Sequence, residues 1–221
     1  MVKVRLASRI LEANEKIAER NRKFFQDKGI FVINLMSSPG SGKTSILERT
    51  ISRLSGETPL AVIEGDIYTS QDAERIEQKG APVVQINTSG ACHLDAHMVE
   101  EALGDLDLDK IKLLVIENVG NLVCPAEFDL GEDAKVAVLS TTEGNDKPMK
   151  YPLVFRQSQA VLVNKIDLLA HTDFDLDVLR RDVHLINPEL KIFEVSARTN
   201  EGFEPWCQWL AEQVRNKAAA V

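Results

Sequence analysis

The run Ile30-Phe31-Val32-Ile33-Asn34-Leu35-Met36 passes directly into Ser37-Ser38-Pro39-Gly40-Ser41-Gly42-Lys43-Thr44 and then into a helix-forming stretch over residues 45–54. A strand, a glycine-rich turn ending in Gly-Lys-Thr and a helix, in that order, is what a phosphate-binding loop demands. The glycines let backbone N–H groups turn inward around phosphate oxygens, and the helix N-terminus adds a favourable dipole. Pro39, Gly40, Ser41, Gly42, Lys43, Thr44 and Ser45 are therefore the expected phosphate contacts. Lys43 brings positive charge to the β- and γ-phosphates, and the Thr44 hydroxyl is a ligand for Mg²⁺. Ser37 stands where the usual pattern has its first glycine, and it fits if its φ is negative. The loop alone does not separate ATP from GTP.

Val/Ile/Leu-rich runs recur at residues 30–36, 60–63, 83–86, 113–116, 136–140, 160–163 and 192–195, with helical segments after most of them. Several lack polar alternation, as strands buried on both faces do. That order predicts an α/β fold, a mainly parallel P-loop NTPase sheet flanked by helices. Ahead of it, Leu6, Ile10, Ala13 and Ile17 recur at helical spacing in an amphipathic helix over residues 4–25, ending before Gly29. The expected organisation is an N-terminal helical extension, 1–28, and one nucleotide-binding domain, 29–221. The connection over residues 118–135 is long for a compact domain, and connections of that length tend to be functional.

The 221 residues suit one domain with a sizeable core. A net charge of −8 argues against a nucleic-acid surface, which needs clustered Lys and Arg. No stretch approaches the roughly 18 consecutive apolar residues of a membrane span, and the N-terminus lacks a signal-peptide core. The expected location is cytoplasmic. Three cysteines, Cys92, Cys124 and Cys207, are too few for a disulfide framework.

Asn164-Lys165-Ile166-Asp167 follows the apolar run at 160–163, which puts it at the carboxyl end of a strand, where open α/β sheets bind ligands. A carboxylate such as Asp167 accepts two hydrogen bonds, matching the N1–H and N2–H₂ edge of guanine. Adenine has no donor at N1 and would leave that carboxylate unpaired. The stem of Lys165 suits a base face, and Ser196, Ala197 and Arg198 complete the pocket from another strand end. Together the two motifs indicate GTP and GDP. Asp66, in Glu64-Gly65-Asp66, and Glu117, in Glu117-Asn118-Val119-Gly120, are the expected Mg²⁺ carboxylates beside Thr44. Lys43, Asp66, Asp72 and Glu117 form the candidate catalytic set; Asp72, opening the next helix, is read equally as a helix-end acid or as a group orienting water.

Cys92-His93 is expected to open a helix, with His97 one turn further on the same face; Cys124 precedes Pro125 in the long connection. Thiolate plus imidazole suits Zn²⁺ or Ni²⁺, but spacing alone fits buried thiols and a helix-face imidazole equally well. Two sulfurs and one imidazole leave a four-coordinate ion incomplete, so the fourth ligand would come from a symmetric partner, water or His97. Cys207, in Trp206-Cys207-Gln208-Trp209, reads as core, and His171 and His184 as surface.

The series Ser-Ser-Pro-Gly-Ser-Gly-Lys-Thr, Glu-Gly-Asp, Gly-Ala-Cys-His-Leu-Asp-Ala-His, Glu-Asn-Val-Gly-Asn-Leu-Val-Cys-Pro-Ala and Asn-Lys-Ile-Asp resembles the hydrogenase nickel-incorporation GTPases, the HypB family, over nearly the whole chain. That resemblance implies a slow, Mg²⁺-dependent GTPase that forms a homodimer on binding GTP. It implies help in delivering nickel to the large subunit of [NiFe]-hydrogenase, with a nickel-handling co-chaperone. The family's metal motif maps onto Cys92, His93 and Cys124, with His97 as a further candidate ligand, for Ni²⁺ or Zn²⁺ at the dimer interface. The Cys-rich and His-rich N-terminal metal motifs of some members have no counterpart before Cys92. Lys147 and Lys150 suit a nucleotide across the dimer or plain solvent exposure. The urease nickel-insertion GTPases are similar in the phosphate loop and Asn-Lys-x-Asp, but have Cys-Pro-His at the metal motif. A regulatory GTPase without metal transfer is a further alternative; a small-molecule kinase is disfavoured by Asn164 and Asp167.

Overall fold

Among the described residues, seven strands hydrogen-bond side by side in the order β3-β2-β4-β1-β5-β6-β7, and every neighbouring pair is parallel. They are β1 (Phe31–Ser37), β2 (Leu60–Asp66), β3 (Val83–Asn87), β4 (Leu113–Gly120), β5 (Ala134–Ser140), β6 (Ala160–Asn164) and β7 (Lys191–Glu194). The helices are α1 (Lys3–Lys28), α2 (Lys43–Leu54), α3 (Gln71–Glu77), α4 (Ala96–Ala102), α5 (Cys124–Glu127), α6 (Lys147–Lys150), α7 (Pro152–Gln157), α8 (Leu176–Ile186) and α9 (Phe203–Ala219). The computed structural model describes residues 3–54, 56–66 and 70–220.

The apolar runs become strands because both faces of the sheet are covered. On one face Ile33, Leu35 and Val115 pack against Ile46, Leu47 and Ile51 of α2 and against Trp206 and Leu210 of α9. On the other, Val32, Ile63, Leu114 and Ile116 meet Phe25 of α1, Leu94 and Val99. A third cluster joins Met36, Leu139 and Val161 to Phe155 and Leu179. Each such burial stabilises by about 1.5–3 kcal/mol relative to exposure. Trp206 is 1% exposed, and its indole N–H donates to Thr50 Oγ1 at 3.0 Å, so the large ring carries no unpaired donor.

All seven expected strands are present, but two run on beyond their apolar residues. β2 continues through Glu64-Gly65-Asp66, paired with Gln85, Ile86 and Asn87. β4 continues through Glu117, Asn118, Val119 and Gly120. The 118–135 connection is correspondingly shorter, and it contains α5. The order reverses at β1, which has β4 on one side and β5 on the other. In such sheets ligands bind outside the carboxyl ends of the strands at that reversal.

Candidate functional site

The phosphate loop joins β1 to α2 at the reversal. Ser37 is the last residue of β1 and is not among the positive-φ residues, as a side chain there requires. Gly40 and Gly42 take φ of +77° and +93°. Lys43 Nζ donates to Ser37 Oγ at 2.9 Å, and burial pulls its pKa down while Glu117 and Asp72 oppose that. Ser41 Oγ contacts Ser38 O and Glu143, and Lys147 Nζ lies 3.3 Å from both Ser38 Oγ and Glu143 Oε2. Lys147 thus folds back on its own loop, whereas Lys150 pairs with Asp146 at the surface. Pro39 lies against Gly120, where an added Cβ would approach its Cα within 3.1 Å.

Thr44 Oγ1 donates to Glu117 Oε1 at 2.8 Å. Glu117 is 3% exposed and Glu64 2%. Burial, more than any neighbour, pushes Glu117 up to about 7, with Lys43 opposing. Burial and the adjacent Glu117, Asp66 and Asp72 push Glu64 up to about 8. Glu64, Asp66 and Asp72 each offer an oxygen, all within 4.8 Å of one another. Two buried oxygens, Glu64 Oε2 and Glu117 Oε2, have no hydrogen-bond partner among the described residues. Orphaned acceptors of this kind, clustered at a phosphate loop, fit a hard divalent cation with oxygen ligands. Asp72 is fixed by Arg75 at 2.8 Å, and Arg75 also reaches Ser45 Oγ and Glu48. Glu64 is the site residue that the sequence reading passed over. Its signal was available: residues two apart in a strand share a face, so Glu64 accompanies Asp66.

The Asn164 segment closes the other side of the loop. Asn164 Nδ2 donates to Ser41 O at 2.9 Å, and its Oδ1 accepts from the Ala197 N–H at 3.1 Å. Lys165, at φ +64°, donates from Nζ to Gly40 O at 2.8 Å, so its stem spans the two motifs. Asp167 accepts from Ser196 Oγ at 2.6 Å and faces Arg198 at 3.4 Å. A cleft of about 400 Å³ opens between Gly42, Arg49, Asn164, Lys165, Asp167 and Ala197. Its mouth carries the backbone amide and carboxylate set suited to a purine edge.

The sulfur and imidazole residues also meet. Cys92 Sγ lies 3.2 Å from Cys124 Sγ and 3.6 Å from His93 Nδ1. Burial lowers the His93 pKa, favouring the neutral imidazole that binds metals. The Cys92 contact, then burial, raises that of Cys124. Cys124 opens α5, and Pro125 sits in its first turn. One correction concerns the local fold: Cys92-His93 does not open a helix. Ser89 and Gly90 adopt positive φ, and the chain stays irregular until Asp95 caps α4 by accepting from the Met98 N–H. His97 therefore lies in the first turn of α4, 3.8 Å from Glu101, and not on a shared helical face with His93. Cys207 is buried in the α9 core.

Fold and loop together define a P-loop nucleotide-binding domain, built around the carboxyl ends of β1, β2, β4 and β6. Residues 31–194 match the family described as CobW/HypB/UreG, nucleotide-binding domain. The hydrogenase maturation factor HypB of Azotobacter vinelandii is 53% identical over 210 residues, covering 95% of this chain and 69% of that protein. The crystal structure of HypB from Helicobacter pylori in complex with nickel superposes with a TM-score of 0.88 at 37% identity, covering 93% of this chain and 97% of the other. That of hydrogenase maturation factor HypB from Archaeoglobus fulgidus gives 0.86 at 39%, covering 92% and 100%. The chain belongs to the CobW/HypB/UreG family, among its HypB members.

Proposed function

We propose that this chain is a GTP-hydrolysing metallochaperone that carries nickel in the maturation of [NiFe]-hydrogenase and dimerises on binding GTP. The observation that carries the reading is the end of β4. There and in the turn that follows, eight residues supply Glu117 to the phosphate loop and Cys124, at the start of α5, to the thiol and imidazole cluster. Relatives named hydrogenase maturation factors, and a nickel-bound neighbour, support nickel as cargo.

In this reading the backbone N–H groups of residues 40–44 and the Lys43 ammonium hold the phosphates. Thr44, Asp66 and Glu117, with Glu64 beside them, hold Mg²⁺. When bound, Mg²⁺ neutralises charge on the β- and γ-phosphate oxygens. Asp72, locked by Arg75, orients the attacking water. Water adds to the γ-phosphorus as the bond to the β-bridging oxygen breaks, and its proton leaves with inorganic phosphate beside GDP. Asp167 selects guanine, and Lys165 flanks the base. Cys92, His93 and Cys124 hold Ni²⁺ or Zn²⁺; since three ligands underfill either ion, a second copy of the chain completes the site. Helix α1, Lys3–Lys28, acts as a brace on the nucleotide-binding domain. The partners are a nickel-handling co-chaperone and the hydrogenase large subunit, in the cytoplasm.

The test is equilibrium Ni²⁺ and Zn²⁺ binding, with light-scattering mass, for wild type and the C92A/C124A double variant. Each is loaded with GDP or a non-hydrolysable GTP analogue. Metal binding that depends on nucleotide and vanishes in the variant is expected. Binding that ignores both nucleotide and substitutions would leave a GTPase without cargo.

A further inference from the structure

Glu117 and Asn118 are consecutive in β4, so their side chains leave opposite faces of the sheet. Glu117 turns to Thr44 in the phosphate loop. Asn118 is 1% exposed and turns the other way. Its Oδ1 accepts from the N–H of Leu94 at 3.1 Å and of Val119 at 3.0 Å. Its Nδ2 donates to Asn34 Oδ1 at 3.1 Å, and Asn34 donates onward to Glu132. Three residues later, Asn121 Nδ2 donates to Cys92 O at 3.2 Å.

His93 is thereby bracketed. The carbonyl before it is held by Asn121, just past β4, and the amide after it by Asn118 within β4. Leu94 is itself fully buried, and a Cβ added at Gly65 in β2 would lie 2.9 Å from its Cδ1. The loop therefore has no room to slide past the strand. Breaking the Asn118 bonds would orphan buried groups, so strand and loop move as one unit.

We propose that Asn118 is a positioning residue that transmits the state of the nucleotide site to the Cys92-His93 loop. This rests on the nickel-carrier reading above and adds its route of regulation. Any shift of Glu117 on nucleotide exchange displaces Asn118, and with it the Leu94 amide and the His93 ring. Linkage makes the effect reciprocal, so metal changes nucleotide affinity by the same factor.

The experiment measures Ni²⁺ affinity with GDP and with a non-hydrolysable GTP analogue, for wild type, N118A and N187A. Asn187 serves as control because it ties Phe155 O and Ser158 O on a distant part of the fold. Wild type should show a ratio of affinities on the order of 5–150-fold between the two nucleotides. N118A should still bind nickel and both nucleotides, with the ratio within about twofold of one; N187A should keep the wild-type ratio. If N118A retains the ratio, or N187A loses it equally, Asn118 is not the link and the carrier reading stands. A wild-type ratio of one removes both. Should N118A fail to fold, hydrogen exchange at the Leu94 amide of nickel-free wild type decides: its protection should change about tenfold between the two nucleotides. An unchanged rate overturns the proposal.

Discussion

Thr44 Oγ1 donates to Glu117 Oε1 over 2.8 Å, joining the start of α2 to the interior of β4. The other oxygen of the same carboxylate is buried without a hydrogen-bond partner among the described residues. Glu117→Gln keeps the shape and an acceptor for Thr44 but removes the charge. Turnover of GTP should fall about 10–100-fold. The Mg²⁺ concentration needed for half-maximal rate should rise with it. GDP binding measured without Mg²⁺ should change little. An unaltered Mg²⁺ dependence would place the cation elsewhere.

Asp167 is held by Ser196 Oγ at 2.6 Å, and its second oxygen faces the exposed Arg198. In Asp167→Asn one acceptor becomes a donor, which opposes the guanine N2–H₂ and suits the C2 carbonyl of xanthine. Affinity for GTP should drop by on the order of 10²-fold or more, while that for xanthosine triphosphate rises. Competition binding with the two nucleotides reads the exchange. Equal losses for both would mean that Asp167 only supports the loop.

The seven strands were legible because residues such as Val32, Ile63 and Val161 are apolar on both faces, and burial on both faces leaves that pattern. The carboxyl ends of β2 and β4 were not legible. Glu64, Glu117 and Asn118 are polar, so an apolar run stops at each, yet the backbone pairing of Glu64 with Glu117 carries the sheet onward. The nucleotide site was readable because its residues come in short contiguous motifs. Cys92 and Cys124 are 32 positions apart, and only the sheet order β3-β2-β4 brings the loop after β3 and the loop after β4 together across the end of β2. The mistaken helix start at Cys92 has a local cause: Asp95, an N-cap residue, was passed over in favour of the four-residue spacing of His93 and His97.

Burial pushes the Cys207 thiol up to about 11 from its ordinary value near 9, with Arg53 opposing. The folded protein therefore holds that proton between the two values while the unfolded chain releases it. Stability is unaffected below about pH 9 and falls as pH rises towards 11. At pH 8 an alkylating reagent should modify the exposed Cys92 in metal-free protein and leave Cys207 intact until denaturant is added. Peptide mapping by mass spectrometry distinguishes the two. Rapid labelling of Cys207 in native protein would show that the packing of α9 over the sheet opens readily.

Gly42 lies where the two nucleotide motifs meet. Its φ is +93°, and an added Cβ would lie 2.5 Å from Asn164 Nδ2, the atom that donates to Ser41 O. Gly42→Ala therefore suffers twice. The backbone strain costs about 1–3 kcal/mol, which for a domain of this size lowers Tm by about 2–12 °C. The displaced Asn164 also loses its hold on Ser41, so phosphate loop and base pocket no longer share one geometry. Gly80 isolates the first effect, because its φ is +84° and a Cβ there meets nothing within 4 Å. Gly80→Ala should lower Tm comparably and leave GDP affinity near wild type, whereas Gly42→Ala should weaken GDP by more than about tenfold. Were both variants to bind GDP equally well, the contact between Asn164 and the phosphate loop would be a packing detail without consequence for the nucleotide.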